Sequence, residues 1–270
     1  MKTKKQFGQH WLKNERVLDR IVEAANISPS DRILEIGPGT GILTRRLLPH
    51  ASAVLSVEID QDLCRLLVKT LGDVPNFLLL QGDFLTTNIE EFLTDFPAFQ
   101  QPNKVVANIP YNITGPILEK LLGTISKPAA QPFDSIVLLV QQEVAERLYA
   151  RPHNKAFGAL SIRVQYLADC ELICPVPARD FSPPPKVDSA VVRLTPRAFE
   201  LQAKEPKFLD RIVKMGFATR RKMLRNNLQS ILDRDTLSNL FISLNIDPEA
   251  RAENLSLRQW VELANVLSEY

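Results

Sequence analysis

The segment EIGPGTG, residues 35–41, closes the short apolar run RILEI (32–36) and precedes the helix-patterned TRRLL (44–48). Three glycines in five residues let a backbone turn sharply and approach a ligand closely. A strand, a glycine-rich turn and a helix, in that order, form the opening unit of a nucleotide-binding α/β sheet. The dinucleotide fingerprint G-x-G-x-x-G does not fit. Counted from Gly37 it meets Gly39 and then Ile42, with the third glycine at 41 instead.

Outward from this turn, apolar runs alternate with helix patterns. The runs are AVLSVEI (53–59), NFLLLQG (76–82), KVVANI (104–109) and SIVLLV (135–140). Between them lie DLCRLLVKTL (62–71), IEEFLTDF (89–96) and GPILEKLLGTI (115–125). The runs are continuously apolar rather than alternating, as strands covered by helices on both faces are. Repeated β-α units of this length predict an α/β fold, a doubly wound and mainly parallel sheet.

Upstream, Val17, Leu18, Ile21, Val22 and Ala25 share one face of a predicted helix. Downstream, SIRVQYLADCELICPVP (161–177) and DSAVVRLTP (188–196) read as further strands, antiparallel at the sheet edge. The proline-rich DFSPPPK (180–186) stiffens the loop between them. Beyond Pro196 the pattern turns helical, in FLDRIVKMGFATRRKMLRNNLQSILD (208–233), TLSNLFISLNI (236–246) and SLRQWVELANVL (256–267). The expected division is a sheet domain, 1–198, and a small all-α domain, 199–270.

Composition narrows the class. Hydrophobic residues make 45% and charged residues 24%, an ordinary soluble balance. Apolar runs such as IVLLV (136–140) are strand-sized, so no membrane span is expected. The opening MKTKKQFGQHWLKN has no apolar stretch of the kind a secretory signal needs. Cys64, Cys170 and Cys174 form no C-x-x-C pair, and His10, His50 and His153 lack ligand spacing. A reducing, cytoplasmic setting without a metal is therefore expected, with no disulfide framework.

Net charge is only +2, but it is unevenly spread. Residues 1–16 hold five Lys/Arg against Glu15, and residues 204–225 hold eight against Glu205 and Asp210. Two basic stretches on an otherwise acidic chain point to a directed polyanion contact.

The strand ends carry the chemistry. Glu58 closes the second strand, where a carboxylate accepts the hydroxyls of a ribose. Asp83, in QGDF after the third strand, is placed to accept from a purine amino group. The fourth strand ends in NIPY (108–111). NIPY resembles the active-site motif of methyltransferases acting on exocyclic amines, which are poor nucleophiles because the lone pair is delocalised. That resemblance implies two acceptors for the amine protons, the Asn108 side-chain oxygen and the main-chain carbonyl at Ile109–Pro110, which would turn the lone pair outward. Pro110 has no N–H to compete and stiffens the bend. Tyr111 offers a flat face for an extruded base.

E-x-G-x-G-x-G with these strand ends resembles the cofactor motif of class I S-adenosylmethionine (SAM)-dependent methyltransferases. KQFGQHWLKN (5–14), EIGPGTGILT (35–44), VEID (57–60), NIPYNI (108–113), LLVQQEVAERL (138–148), FSPPPKVDSAVVRL (181–194), RRKMLRNNL (220–228) and RAENLSL (251–257) resemble the ribosomal RNA adenine dimethyltransferase family almost end to end, nearest its bacterial small-subunit branch. One departure is Trp11, where that family commonly has Phe.

The resemblance implies SAM-dependent conversion of two adjacent adenosines in the 3′-terminal hairpin of 16S rRNA to N6,N6-dimethyladenosine. Four methyl transfers would accompany 30S subunit assembly, in the cytoplasm; a monomer is expected because no dimerisation stripe is visible, and no metal because the Cys and His residues lack ligand spacing. The resemblance implies that His10, Leu12, Gly37, Gly39, Glu58, Asp83 and Asn108 bind the cofactor. Asn108, Pro110, Tyr111 and Phe181 would serve the base, with Phe181 stacking opposite Tyr111. Lys4, Lys5, Arg220, Arg221, Lys222 and Arg225 are expected on rRNA phosphates. The rival expectations are a large-subunit adenine methyltransferase of the macrolide-resistance type and a non-catalytic RNA-binding assembly factor.

Overall fold

The computed structural model describes residues 9–270 and divides into two compact units. The first comprises residues up to 121 with 131–145 and 171–196; the second comprises 122–130, 146–170 and 197–270.

The first unit is built on a seven-stranded sheet. Its strands are β1 (Arg32–Ile36), β2 (Ala53–Glu58), β3 (Phe77–Gln81), β4 (Lys104–Asn108), β5 (Ser135–Gln141), β6 (Ala168–Val176) and β7 (Ser189–Pro196). They lie in the order β3-β2-β1-β4-β5-β7-β6. The pairs from β3 to β5 are parallel, and β7 runs antiparallel to β5. Central strands are buried on both faces: every residue of β2, and Ile136 to Val140 of β5. The strand order reverses between β1 and β4, and at such a switch point the chain leaves an open crevice beyond the carboxyl ends of the strands.

Helix α1 (Glu15–Ala25) shows how local sequence fixes the layers. Asn14 caps it by accepting from the Arg16 N–H, and Asn26 ends it in the left-handed region at φ 44°. Its buried stripe is Val17, Leu18, Ile21, Ala24 and Ala25, part of the core cluster that includes Val106, Val137 and Val191. Burying a side chain such as Ile21 contributes roughly 1.5–3 kcal/mol, so a charge there would unseat the helix. Helix α2 (Thr44–Leu47) follows the glycine turn. Helix α3 (Gln61–Leu71), capped by Asp60, buries Leu63, Cys64, Leu67 and Leu71. Helices α4 (Ile89–Phe92) and α5 (Thr114–Leu122) follow β3 and β4.

Three expectations are corrected. Residues 161–167 are helical, within α7 (Ala159–Leu167), which follows α6 (Gln142–Tyr149). Alternating Ile162, Val164 and Tyr166 imitate a strand, but Ser161, Ile162, Val164, Tyr166 and Leu167 are all buried, so the helix shows no polar face to betray its period. The second correction concerns residues 208–233. α8 (Pro206–Phe217) stops before a turn at 218–222, and α9 (Leu224–Asn227) is one short turn.

The third concerns the division at 198. The second unit resumes at Arg197, but it also takes in 122–130 and 146–170. α7 belongs there because it packs on α8, with Arg163 3.5 Å from Asp210. The unit is completed by α10 (Arg234–Ser243) and α11 (Leu257–Leu267), the latter opened by a reciprocal Ser256–Gln259 cap. Fully buried Trp260, Phe157 and Phe241 form its centre. No helix among the described residues is long and apolar enough to cross a membrane.

Candidate active site

A cavity of about 340 Å³ opens at the carboxyl ends of β1 to β4. Eight of the residues singled out in the sequence line it: His10, Gly37, Gly39, Glu58, Asp83, Asn108, Pro110 and Tyr111. Its size is that of a small-ligand site, and its walls mix apolar surface with a few polar groups.

The glycine turn supplies the floor. Gly37 and Gly39 have φ of 67° and 59°, a region where a side chain is strained. A Cβ on Gly39 would meet the Trp11 indole at 3.5 Å, an ordinary contact, so the backbone conformation is what favours glycine there. Glu58 braces this turn: one carboxylate oxygen accepts from the Gly39 N–H at 3.1 Å, the other from the Asp60 N–H at 2.9 Å. Burial raises the Glu58 pKa above the usual carboxylate range, opposed by those two donors. Asp83 stands after β3, its Oδ1 accepting from the Leu85 N–H at 2.9 Å.

At the other end, Asn108 finishes β4. Its Nδ2 donates to the His10 main-chain carbonyl at 3.4 Å, which leaves Oδ1 as the amide's acceptor, and the residue lines the cavity. The chain then turns through Pro110, whose φ is −61°. The Tyr111 ring lies nearly parallel to the His10 ring, 16° between planes and 6.1 Å between centroids. Nδ1 of His10 is 2.8 Å from the Pro183 carbonyl.

Not every expected residue reaches the cavity. Leu12 is buried and lines a smaller neighbouring pocket with Glu35, Gly37 and Asn108. Phe181, expected to stack on a base, is 1% exposed and sits in the core with Leu12, Val17 and Val176. It pairs across a short ladder with Leu12, and that pairing turns it inward; the stacking role is withdrawn. Lys4 and Lys5 lie outside the described residues. Arg221 and Lys222 are exposed in the turn after α8. Arg220 is committed elsewhere: its Nη2 donates to the carbonyls of Lys155 and Phe157 and to Glu253, all within 2.9 Å. Arg225 is half-buried, reaching Ser238 and Met223.

The structure adds residues that sequence reading passed over. Ile59 lines the cavity while 46% exposed, an apolar side chain in an acidic stretch. Glu35 is 1% exposed and accepts from the hydroxyls of Thr44 (2.7 Å) and Ser56 (2.6 Å). Burial pushes its pKa up to about 7, against those two donors and with the charge of Glu58 adding to the rise. The signal was present, since Glu35 opens the very E-x-G-x-G-x-G pattern that marked the turn.

This cavity stands in a chain whose residues 1–269 match the profile of the family described as ribosomal RNA adenine dimethylase. The chain belongs to that family. Among its relatives, the ribosomal RNA small subunit methyltransferase A of Trichormus variabilis is 69% identical, over 97% of this chain and 96% of the relative. Among solved structures, a dimethyladenosine transferase from Plasmodium falciparum superposes with a TM-score of 0.75 at 28% identity, covering 96% and 97% of the two chains. The 23S rRNA methyltransferase ErmE superposes at 0.73 with 27% identity, covering 96% and 99%. Within the dimethylase family's fold, both ends of the cavity therefore come from one sheet edge: the acidic end from β2 and β3, the amide end from β4.

Proposed function

We propose that this protein transfers methyl groups from SAM to the N6 amino groups of two adjacent adenosines in the 3′-terminal hairpin of 16S rRNA, during 30S subunit assembly. The observation that carries the reading is the Asn108 amide. Nδ2 donates to the His10 carbonyl, which leaves Oδ1 as the amide's acceptor, and Asn108 lines the same cavity as Glu58 and Asp83. SAM, when bound, supplies a methyl on a sulfonium. Glu58 would accept the ribose hydroxyls and Asp83 the adenine amino group, with Gly37 and Gly39 passing close beneath and His10 closing the side.

The protein's own residues then do the aiming. Asn108 Oδ1 and the Ile109 carbonyl hold the two amino protons of a target adenosine, which turns the nitrogen lone pair toward the methyl. Pro110 keeps the bend rigid, and Tyr111 stacks on the extruded base. Alignment of this kind is the main catalytic contribution, so the residues act by position rather than as strong acids or bases. After one transfer a single proton remains, and one acceptor suffices.

For the polymer, we assign phosphate contacts to Arg221, Lys222 and Arg225 in the helical second unit, and to the basic N-terminal segment with Lys4 and Lys5. Duplex RNA is recognised largely through phosphates, 2′-hydroxyls and shape. The protein is expected to work as a cytoplasmic monomer, releasing S-adenosylhomocysteine and using no metal.

The likeness to ErmE supports a second reading, methylation of large-subunit RNA. The far higher identity to a small-subunit methyltransferase favours the first. Unmethylated 30S and 50S subunits, incubated with wild-type protein or Asn108→Ala and mapped by primer extension, decide between them. Wild-type stops at the paired adenosines of 16S rRNA, lost in the variant, are expected. Stops on large-subunit RNA would favour the second reading. Tight subunit binding without methyl transfer would make the protein an assembly factor.

A further inference from the structure

The turn that carries Asp83 has an unusual wiring. Its N–H groups are satisfied from within: Leu85 donates to Asp83 Oδ1, and Thr86 and Thr87 donate to the Asp83 carbonyl at 3.1 and 2.9 Å. The carbonyls of Phe84, Leu85 and Thr87 instead converge on one point, where partial negative charges repel. Lys120 occupies it. Its Nζ donates to all three carbonyls, at 3.3 Å to Leu85 and 3.0 Å to Thr87, with the contact to Phe84 shorter still. The ammonium also lies 4.8 Å from the centroid of the Phe84 ring. Three acceptors match the three protons of an ammonium.

The lysine stands on firm ground. It belongs to α5, whose Ile117, Leu118 and Leu121 are buried, and that helix begins three residues after Tyr111. The segment it holds, residues 82–87, has no regular secondary structure of its own, yet Gly82, Asp83, Phe84 and Leu85 line the cavity. Hydrogen bonds from an ionised donor are roughly twice as strong as neutral ones, so this one side chain can dominate the geometry of the turn.

We propose that Lys120 is a positioning residue for cofactor binding: it clamps the Asp83 turn onto the helix that grows out of the NIPY segment. This rests on the reading of the Asp83 side as the SAM site. The clamp fixes where the Asp83 carboxylate and the Phe84 wall stand, and touches no reacting atom. It also ties the adenine-binding end of the cavity to the element that carries Tyr111.

The test uses the full-length protein with Lys120→Met, which keeps the apolar stem and removes the donors, and Lys120→Arg, which restores charge and donors. SAM affinity is measured by calorimetry, and KM and kcat on 30S subunits. The Met variant is expected to bind SAM about tenfold more weakly, with KM for SAM rising about tenfold and kcat at saturating SAM within about twofold of wild type, and Arg to recover most of the loss. Should Met not fold, Lys120→Gln, with two donors and no charge, is expected to show a smaller shift of the same kind. SAM affinity unchanged in a folded Met or Gln variant, or kcat falling at constant KM, overturns the proposal. A wild-type protein that fails to bind SAM overturns the underlying functional reading instead, since the clamp is then not what has failed.

Discussion

The hydroxyl of Tyr111 lies 2.6 Å from the hydroxyl of Ser189, and Ser189 is fully buried at the start of β7. The ring that lines the cavity is thus held at its hydroxyl by a strand antiparallel to β5. Burial raises the Tyr111 pKa, opposed by the Ser189 contact, so the phenol stays protonated at neutral pH. Removing that contact frees the ring without emptying the cavity. Ser189→Ala is expected to lower methyl transfer about five- to tenfold, worth roughly 1 kcal/mol, with SAM affinity unchanged. Tyr111→Phe should do the same, and the double variant should be no worse than either single one.

Asn108→Asp probes the amide itself. A carboxylate cannot donate to the His10 carbonyl and meets it as a repelling oxygen. The variant is expected to lose about a hundredfold or more in transfer rate, an effect of roughly 3 kcal/mol on an aligned reaction. Single-turnover rates on 30S subunits, with calorimetry for SAM, check that chemistry falls further than binding.

Glu35 predicts a pH dependence of stability. Its folded pKa of about 7 lies above the ordinary 4.5, so the folded state binds the proton more tightly than the unfolded one. Stability from this group is fully present below pH 4.5 and is lost as pH rises toward 7, by about 3 kcal/mol in all. Glu35→Gln keeps an acceptor for Thr44 and Ser56 and has no proton to lose. Urea unfolding from pH 4.5 to 8 should show the variant gaining on wild type as pH rises; parallel curves would refute the assignment.

Arg220 and its two neighbours should separate cleanly. Arg221→Ala with Lys222→Ala is expected to leave the melting temperature unchanged and to reduce the salt dependence of 30S binding by nearly two units of slope. Arg220→Ala strands two carbonyls and Glu253, so it should lower stability by about 1–3 kcal/mol. Filter binding over a salt series and thermal melts distinguish the two.

Phe181→Ala should behave as a core deletion, costing about 3–5 kcal/mol of stability. Phe181→Leu, which refills most of that space, should restore both folding and activity. Loss of transfer by a stable Leu variant would reinstate a direct contact with the base.

The sheet and its cavity were legible because strands buried on both faces leave long apolar runs, and because the residues that end them are polar. Gly37, Glu58, Asp83 and Asn108 each follow such a run, and each lines the cavity. What escaped had no local mark. The α7 helix is buried nearly all round, so its period is hidden. Phe181 is aromatic in a loop motif, and only its pairing with Leu12 shows that it faces the core. Arg220 sits in a run of cations that sequence treats alike, whereas its carbonyl partners come from residues more than sixty positions away.

The residues just before α1 are laced across the cavity rather than woven into its sheet. Gln9 holds Asp60, the His10 carbonyl holds Asn108, and Lys13 donates to the Asp180 carbonyl. A sheet strand tolerates little revision, because a shift of one residue turns every side chain to the opposite face. A strap secured at a few points can change length and sequence without disturbing any ladder of the large sheet. Retargeting this scaffold to a different amine is therefore best begun at Gln9 and Trp11, which line the cavity, with the His10 carbonyl, Leu12 and the strand ends left in place.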